Sequence, residues 1–262
     1  MPIVTLQHGD DIAEFSLFGG QLLRWRAQGR ERLFLSPRAA LDGSAAIRGG
    51  VPVIFPQFNA RGPSFRHGFA RTQAWALRER EDSRLALELS DSEATRALWP
   101  HRFALRLEAR LSPGALALTL EVESRDARAF EFSCALHSYL ACALGQTQVH
   151  GLGDCGFEEH GEWHSAAATE TLAPSPPLDR IYGGPAPALR LHEGEATLAI
   201  EAEGFRDWVI WNPGRAGAEA LADLGGEASD RFLCIEPGAI IEPIRLAPDE
   251  RWRGVLRLRV LG

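Results

Sequence analysis

The sequence contains no lysine, and all 28 of its basic residues are arginine. Schiff-base catalysis and P-loop nucleotide binding both need a lysine amine, so both are excluded. Hydrophobic residues make up 45% of the chain and charged residues 24%, which is typical of a folded globular protein and not of a disordered one. The 262 residues are enough for one domain or two small ones.

A basic surface is also lacking, because the net charge is -7 and the isoelectric point is about 5.7. Nucleic-acid binding normally shows as a basic face. There is no run of 18 apolar residues to span a membrane, and the first ten residues do not resemble a signal peptide. We therefore expect a cytoplasmic protein that binds neither nucleic acid nor membranes. We also expect a monomer, although no sequence feature bears on assembly.

The cysteines and one histidine pair give little support for a metal site. Cys134, Cys142, Cys155 and Cys234 show no C-x-x-C spacing, and we expect buried thiols, not disulfides or zinc ligands. His160 and His164 have a spacing found in metal sites, but glycines flank them and no helix is predicted to align them. We therefore predict no metal.

Apolar and polar residues alternate along most of the chain, which indicates half-buried β-strands. The turn residues Ser112, Pro113 and Gly114 predict a hairpin between two such segments. The alternating apolar positions are Leu85, Leu87 and Leu89; Phe103, Leu105 and Leu107; Leu116, Leu118, Leu120 and Val122; Phe130, Phe132, Cys134 and Leu136; Leu198 and Ile200; Val209 and Trp211; and Trp252, Leu256, Leu258 and Val260.

Helical periodicity is scarce. Ser90 and Glu93 have the spacing of a capping box that opens a short helix through Leu98, and a second brief turn is predicted from Glu219 to Leu224. The pattern predicts an all-β fold, a large antiparallel β-sandwich with one or two short helices. We expect residues 1–262 to form a single domain.

Polar groups interrupt four strand-like segments. The stretch from Gly49 to Arg71 begins as a buried strand, broken by Pro52 and Pro56, and delivers His67 and Arg71 beyond a loop. The other three positions are His137 in "CALHSYL", Asp179 in "PPLDRIY" and Glu236, predicted to close a strand, in "FLCIEPG". Taken singly, each has a structural explanation, such as a hydrogen-bonded histidine, a turn aspartate or a solvated acid.

Taken together and in this order, these segments resemble a known family. "IRGGVPVIFPQF", "HGFAR", "LHSYL", "LDRIY", "VIWNPG" and "CIEPG" look like successive motifs of the hexose-6-phosphate mutarotases, or glucose-6-phosphate 1-epimerases, within the aldose 1-epimerase (galactose mutarotase-like) superfamily. The resemblance spans roughly Ile47 to Gly238. It implies a large β-sandwich whose open face holds a sugar, with no metal and no organic cofactor.

The resemblance also implies roles for individual residues. It makes His137 the general acid and Glu236 the general base, and it assigns Asp179 to the sugar hydroxyls. Arginines matching Arg48 and Arg71 hold the substrate, and the position just before "HGFAR", here Arg66 where relatives often carry glutamine, contributes as well. His67 is expected to bind a hydroxyl or steady the intermediate.

The chemistry explains why an acid and a base are needed. Anomer exchange requires removal of the proton from the anomeric hydroxyl and protonation of the ring oxygen, so that the bond from C1 to O5 opens. Rotation about C1 to C2 then lets the ring close on the other face. An acid and a base on opposite sides of this atom pair are sufficient, and His137 and Glu236 are residue types suited to those roles.

Three hypotheses for the function remain, and the arginines favour one of them. Arg48 and Arg71 would grip a phosphate through local guanidinium contacts, despite the negative net charge. A mutarotase of a hexose 6-phosphate, such as glucose 6-phosphate, is therefore favoured. A mutarotase of unphosphorylated aldoses and a non-catalytic sugar-binding module on the same scaffold both stay open.

Overall fold

The computed structural model describes residues 1–153, 155–165, 171–184 and 188–261. Antiparallel strands dominate it, which confirms the predicted all-β fold. The strands are β1 (Ile3–His8), β2 (Asp11–Ser16), β3 (Gln21–Ala27), β4 (Arg30–Glu31), β5 (Val53–Ile54), β6 (Ala76–Arg80), β7 (Arg84–Ser90), β8 (Phe103–Ser112), β9 (Ala115–Ser124), β10 (Phe130–Leu136), β11 (Tyr139–Ala141), β12 (Thr147–His150), β13 (Phe157–Glu159), β14 (Glu162–His164), β15 (Thr171–Leu172), β16 (Leu178–Gly183), β17 (Leu189–Glu193), β18 (Ala196–Glu203), β19 (Asp207–Asn212), β20 (Phe232–Leu246) and β21 (Arg251–Leu261).

The strands form three sheets. The first is the meander β1-β2-β3-β4, and the second, of nine strands, runs β15-β12-β17-β18-β21-β9-β8-β7-β6. The third has eight strands in the order β14-β13-β16-β19-β20-β10-β5, with β11 also paired to β20. We call this eight-stranded sheet the cleft sheet, because it carries the site described below. The predicted hairpin is confirmed as β8 and β9, paired from Phe103 with Ser124 to Ser112 with Ala115.

The main hydrophobic core takes side chains from all three sheets. Phe15 comes from the meander, Leu107 and Leu118 from the nine-stranded sheet, and Ile210 and Ile235 from the cleft sheet. Because successive strand residues point to opposite faces, the neighbours of Ile210 and Ile235 lie on the other face of the cleft sheet. That second face is where the polar residues of the predicted motifs meet.

The first helix ends at Leu98 as predicted, but its capping residues differ. Helix α1 spans Glu93–Leu98, and its capping box is formed by Ser92 with Thr95, not by Ser90 with Glu93. The Ser92 side chain accepts from Thr95 N, and the Thr95 hydroxyl accepts from Ser92 N. Ser90 instead ends β7.

The predicted turn from Glu219 to Leu224 is present in part, with turns at Ala220 and at residues 222–224, but it follows a helix that was not predicted. Helix α2 spans Gly214–Glu219, so it ends where a turn from Glu219 was predicted to begin. In the described part of the chain, 3₁₀ turns lie at Ala70–Thr72, Leu144–Gln146 and Gly226–Arg231. No helix within the described ranges is long and apolar enough to cross a membrane.

Candidate active site

Glu236 lies in the middle of a strand, not at its end as predicted. Strand β20 continues through Pro237 and Gly238 to Leu246, and Glu236 pairs in register with Val209 of β19. Alternation places Cys234 and Glu236 on one face of β20 and Leu233 and Ile235 in the main core. Glu236 is only 1% exposed, so the fold buries a carboxyl group in a sheet.

His137 lies at a break in the strand opposite Glu236. Strand β10 ends at Leu136 and β11 begins at Tyr139, and both strands pair with β20. His137 N donates to the Pro52 carbonyl at 3.0 Å, while the Ser138 hydroxyl donates to the Ile235 carbonyl of β20. The break lets the His137 ring leave the strand alternation and face Glu236.

The predicted acid and base are neighbours. His137 Nδ1 lies 3.1 Å from Glu236 Oε1, at an angle unsuitable for a hydrogen bond. Neither Glu236 oxygen has a hydrogen-bond partner among the described residues. We expected the two groups on opposite sides of the reacting atoms, but the structure places them side by side. Two adjacent groups suit the hydroxyl and ring oxygens of an anomeric centre, because both oxygens are bonded to C1.

The stretch from Gly49 to Arg71 forms one wall beside this pair. Only Val53–Ile54 pairs as a strand, β5, although Val51 and Phe55 are buried as predicted. The chain then loops out and returns at Gly68, whose neighbour Phe69 donates its N–H to the Phe55 carbonyl at 3.0 Å. Gly68 has a φ of +65°, and a Cβ there would lie 2.1 Å from the Phe55 carbonyl oxygen. Only glycine fits this close return.

The loop places His67 against the pair. His67 is 9% exposed, and its ring centroid is 5.6 Å from that of His137. Its Nδ1 accepts from Asn59 N at 3.3 Å, which leaves Nε2 as the protonated nitrogen. Burial, reinforced by Arg71, Arg66 and Arg48, lowers the pKa of His67 to about 3. His67 is therefore a neutral donor, consistent with a hydroxyl-binding role.

Three arginines surround the same cleft. Arg48 Nε donates to Asp223 Oδ2 at 3.1 Å and its Nη1 donates to the Tyr139 hydroxyl at 3.1 Å. Arg71 Nη2 donates to the Arg66 carbonyl at 2.9 Å, while Arg71 Nε is buried and has no hydrogen-bond partner among the residues that the structure describes. The Arg66 side chain is exposed at the rim. A buried N–H without a partner marks a place for an acceptor supplied by a ligand.

All seven predicted site residues line one cleft of about 100 Å³, as do Phe58, Asn59, Val209, Trp211 and Leu221. Ligand pockets usually measure about 300–1,000 Å³. The deep part of this cleft therefore suits the reacting end of a sugar, with the remainder over the rim. A larger cavity of about 570 Å³ lies elsewhere and includes Trp163, Arg206 and Ile241, but none of the seven.

Burial favours the neutral forms of the central pair. It raises the pKa of Glu236 well above its ordinary value, with Asp179 adding to the rise and Arg71 opposing it. It lowers the pKa of His137 well below its ordinary value, and the positive field of Arg71 and Arg48 lowers it further. Both shifts oppose ionisation, so the carboxyl group is harder to deprotonate and the imidazole harder to protonate than in water.

One group in the described part of the chain has metal-ligating side chains close together: His137, Cys234 and Glu236 offer ligand atoms within 4.8 Å of one another. A metal there would occupy both members of the pair, so proton transfer by them requires the site free of metal. His160 and His164 do not form such a group: His164 stacks on Phe157 at 5.0 Å in the β13–β14 hairpin.

The tryptophans lie in different environments. Trp99 and Trp208 are buried in the main core, Trp163 is 57% exposed, and Trp211 lines the cleft.

Sequence reasoning missed Tyr139 and Asp223, which together hold Arg48. Tyr139 follows His137 by two positions, and that spacing could have indicated a shared face; Asp223 gave no local signal.

The comparisons with known proteins agree with the fold and show the family. The model of the aldose 1-epimerase family matches residues 2–259. Fold and family together define a β-sandwich isomerase that acts on carbohydrates. The chain belongs to the aldose 1-epimerase family.

Curated relatives are identical to this chain at about a third of the aligned positions. A protein of Cenchrus ciliaris named "Putative glucose-6-phosphate 1-epimerase" is 32% identical, over 94% of this chain and 80% of its own length. A protein of Escherichia coli (strain K12) with the same name is 31% identical, over 90% of this chain and 82% of its own length.

Solved structures share the architecture. A "putative mutarotase" from Salmonella typhimurium superposes with a TM-score of 0.88 at 28% identity, covering 98% of this chain and 90% of its own. A "galactose mutarotase related enzyme" from Lactobacillus acidophilus gives a TM-score of 0.81 at 15% identity, covering 100% and 98%. The second likeness shows the fold alone.

Proposed function

We propose that the protein interconverts the α and β anomers of a hexose 6-phosphate, with glucose 6-phosphate as the favoured substrate. His137 and Glu236 are the proton-transfer pair, and Arg48, Arg66 and Arg71 hold the phosphate. Asp179 binds sugar hydroxyls from the rim, and His67 donates to a hydroxyl. The curated relatives named as glucose-6-phosphate 1-epimerases support the choice of substrate.

The main support for a phosphorylated substrate is that the three arginines and the proton-transfer pair line the same cleft. The negative net charge repels a phosphate dianion at long range, so a phosphate ester is bound only if local cations are concentrated at the site. Asp223 offsets part of the Arg48 charge, whereas Arg71 has a buried N–H with no partner in the described part of the chain. A neutral sugar would leave that N–H and most of this positive charge unused.

Proton transfer follows from the adjacency of the pair. Ring opening starts from the ion pair, which forms when a proton passes from the Glu236 carboxyl group to the His137 imidazole as substrate binds. The Glu236 carboxylate removes the proton from the anomeric hydroxyl, and the His137 imidazolium protonates the ring oxygen through Nε2, since Nδ1 faces Glu236. The bond from C1 to O5 then breaks and leaves the open aldehyde with a carboxylic acid and a neutral imidazole. These are the forms that burial favours.

Ring closure uses the same groups in reverse. After rotation about C1 to C2, His137 removes the proton from the O5 hydroxyl as O5 attacks C1, and Glu236 returns a proton to O1. The pair regains its starting charges, and the hydroxyl now lies on the other face. Each positioned proton transfer typically contributes about 10²- to 10⁴-fold in rate.

Magnetisation-transfer NMR tests the proposal by measuring anomer exchange of glucose 6-phosphate and of glucose. We expect acceleration of the phosphate ester, much less of the free sugar, and a loss of at least about 100-fold in His137→Ala and Glu236→Gln. His150→Ala and Glu242→Gln lie outside the cleft and are the matched controls.

Each alternative gives a different result. Equal acceleration of both sugars would favour an enzyme for unphosphorylated aldoses and contradict the phosphate site. Measurable binding with exchange no faster than in buffer would favour a non-catalytic sugar-binding module.

We further propose a monomeric, single-domain protein that works in the cytoplasm without nucleic-acid or membrane partners. Sedimentation of the purified protein tests whether it is a monomer.

A further inference from the structure

Arg48 is connected to His137 through Tyr139. The Tyr139 hydroxyl accepts from Arg48 Nη1 at 3.1 Å. The Tyr139 ring stacks on the His137 ring with centroids 4.8 Å apart and an interplanar angle of 8°. Tyr139 is 2% exposed and His137 is 7% exposed, so surrounding atoms hold both rings.

Other contacts limit the movement of this unit. The Tyr139 ring also packs against Phe232 and Trp211, at 5.2 and 6.1 Å between centroids. Asp223 holds Arg48 from the other side at 3.1 Å. A shift of the Arg48 guanidinium would therefore move the Tyr139 hydroxyl. Through the stacked rings, it would also move the His137 imidazole.

The charges around His137 also connect an anion bound at the arginines to the state of the imidazole. Arg48, Arg71 and His67 all disfavour the protonated form of the His137 ring, whereas a backbone hydrogen bond favours it. A dianion bound to the arginines offsets their field and favours the imidazolium that ring opening needs. It also orders Arg48 against Tyr139. The anion thus contributes more than binding energy, because it favours the reactive arrangement of His137, the general acid.

We propose a further activity: a dianion bound at Arg48 and Arg71 activates anomer exchange of an unphosphorylated sugar, with Tyr139 as the positioning residue that couples the anion to His137. The activator and the sugar are then separate molecules. An aldopyranose that lacks C6 leaves room for the anion, so D-xylose with phosphite is the suitable pair. This proposal rests on the proposed function of the cleft.

The test measures xylose anomer exchange by magnetisation-transfer NMR at increasing phosphite concentrations, with enzyme-free buffer catalysis subtracted. We expect saturable activation, with kcat/KM for xylose rising at least about tenfold, and we expect phosphite to compete with glucose 6-phosphate. Sulfate, a dianion of very low basicity, should activate as well, which separates a bound activator from buffer catalysis.

Variants test the coupling as a ratio, with each activated rate divided by the same variant's rate without anion. Tyr139→Phe keeps the ring stack and removes the hydroxyl, so the activation ratio should fall several-fold. Asp223→Asn releases Arg48 from its other side and should lower the ratio too. Tyr182→Phe is the matched control, because Tyr182 is also buried, at 6% exposure, but lies outside the cleft lining.

The outcomes separate this inference from the proposed function. Acceleration of glucose 6-phosphate without phosphite activation of xylose would overturn the coupling and leave the function intact. An unchanged activation ratio in a folded Tyr139→Phe variant would overturn the route through Tyr139. If glucose 6-phosphate exchanges no faster than in buffer, the proposed function itself fails.

Discussion

At the residue scale, Glu236 is an acid placed where charge is costly. It is 1% exposed, its oxygens have no hydrogen-bond partner among the described residues, and its neighbours include the thiol of Cys234. Burying polar groups without partners lowers stability, and active sites commonly sacrifice stability in this way. The cost is consistent with a functional role for Glu236 and is difficult to explain by packing alone.

This burial predicts how Glu236→Gln changes stability with pH. The folded-state pKa of Glu236 is raised, so between the unfolded and folded pKa values the folded state binds the extra proton. Stability contributed by the neutral acid is full below the unfolded pKa and is lost as pH rises through the folded pKa. Glutamine is neutral throughout, so the variant should gain thermal stability relative to wild type as pH rises from 5 to 8.

Differential scanning calorimetry at pH 5 and pH 8 checks this expectation. We expect the gain in Tm of Glu236→Gln to be larger at pH 8 by at least about 2 °C, which corresponds to roughly 1 kcal/mol in a domain of this size. Glu242→Gln alters an exposed carboxyl and should show no such trend. A gain independent of pH would contradict a raised pKa at Glu236.

At the element scale, the return of the chain at Gly68 positions His67 and Arg71. The backbone there approaches the Phe55 carbonyl too closely for any side chain, since a Cβ would lie 2.1 Å from its oxygen. The break between β10 and β11 positions His137 in the same way, because it frees the residue from the regular alternation of a strand. Irregular backbone in these two elements, and not regular strand, supplies most of the site.

Gly68→Ala should therefore lower the free energy of unfolding by more than the left-handed backbone conformation alone would cause. Gly9 has a similar φ of +60° with nothing within 4 Å of an added Cβ, so Gly9→Ala is the matched control. We expect about 1–2 kcal/mol for Gly9→Ala from the left-handed conformation. Gly68→Ala should lose a further 1–3 kcal/mol or so through overpacking, and weaken glucose 6-phosphate binding.

Urea unfolding of both variants and of wild type measures these costs, and the KM for glucose 6-phosphate measures the effect on the site. Equal costs for the two substitutions would show that the loop at Gly68 relaxes freely. The close return would then have no part in holding His67 and Arg71.

At the scale of the whole molecule, the cleft draws residues from separate parts of the chain onto one sheet face. Arg48 and Asp223 are 175 positions apart, and Arg48 and Tyr139 are 91 apart. A ligand that binds only this assembled cleft stabilises the folded state by mass action. Binding should therefore be visible in global unfolding.

We expect glucose 6-phosphate at about 100 times its Kd to stabilise the fold by about 2.7 kcal/mol. In a domain of this size that is a rise in Tm of about 5–10 °C. Inorganic phosphate should also raise Tm, and glucose at the same concentration should raise it less. Differential scanning fluorimetry measures all three, with Arg71→Gln as the comparison that removes the unpartnered N–H. A shift unchanged by Arg71→Gln would show that the anion binds elsewhere.

The fold class was readable from local pattern. Alternating positions such as Leu116, Leu118 and Leu120 lie buried on β9 as predicted, because the two-residue period of a strand depends only on local geometry. Ordered motifs also brought His137, Glu236 and the three arginines together as candidates. The seven predicted residues lie in one cleft, while their individual roles stay predictions.

The tertiary structure alone decided the finer features. It extended β20 past Pro237, moved the capping box to Ser92, and set the two proton-transfer groups side by side. It also joined Tyr139 and Asp223 to Arg48. Local sequence fixes which face a side chain occupies, but the distance between side chains depends on strand register and loop return, which arise only when distant segments pack. Burial, which sets the charge state of Glu236 and His137, likewise exists only in the folded molecule.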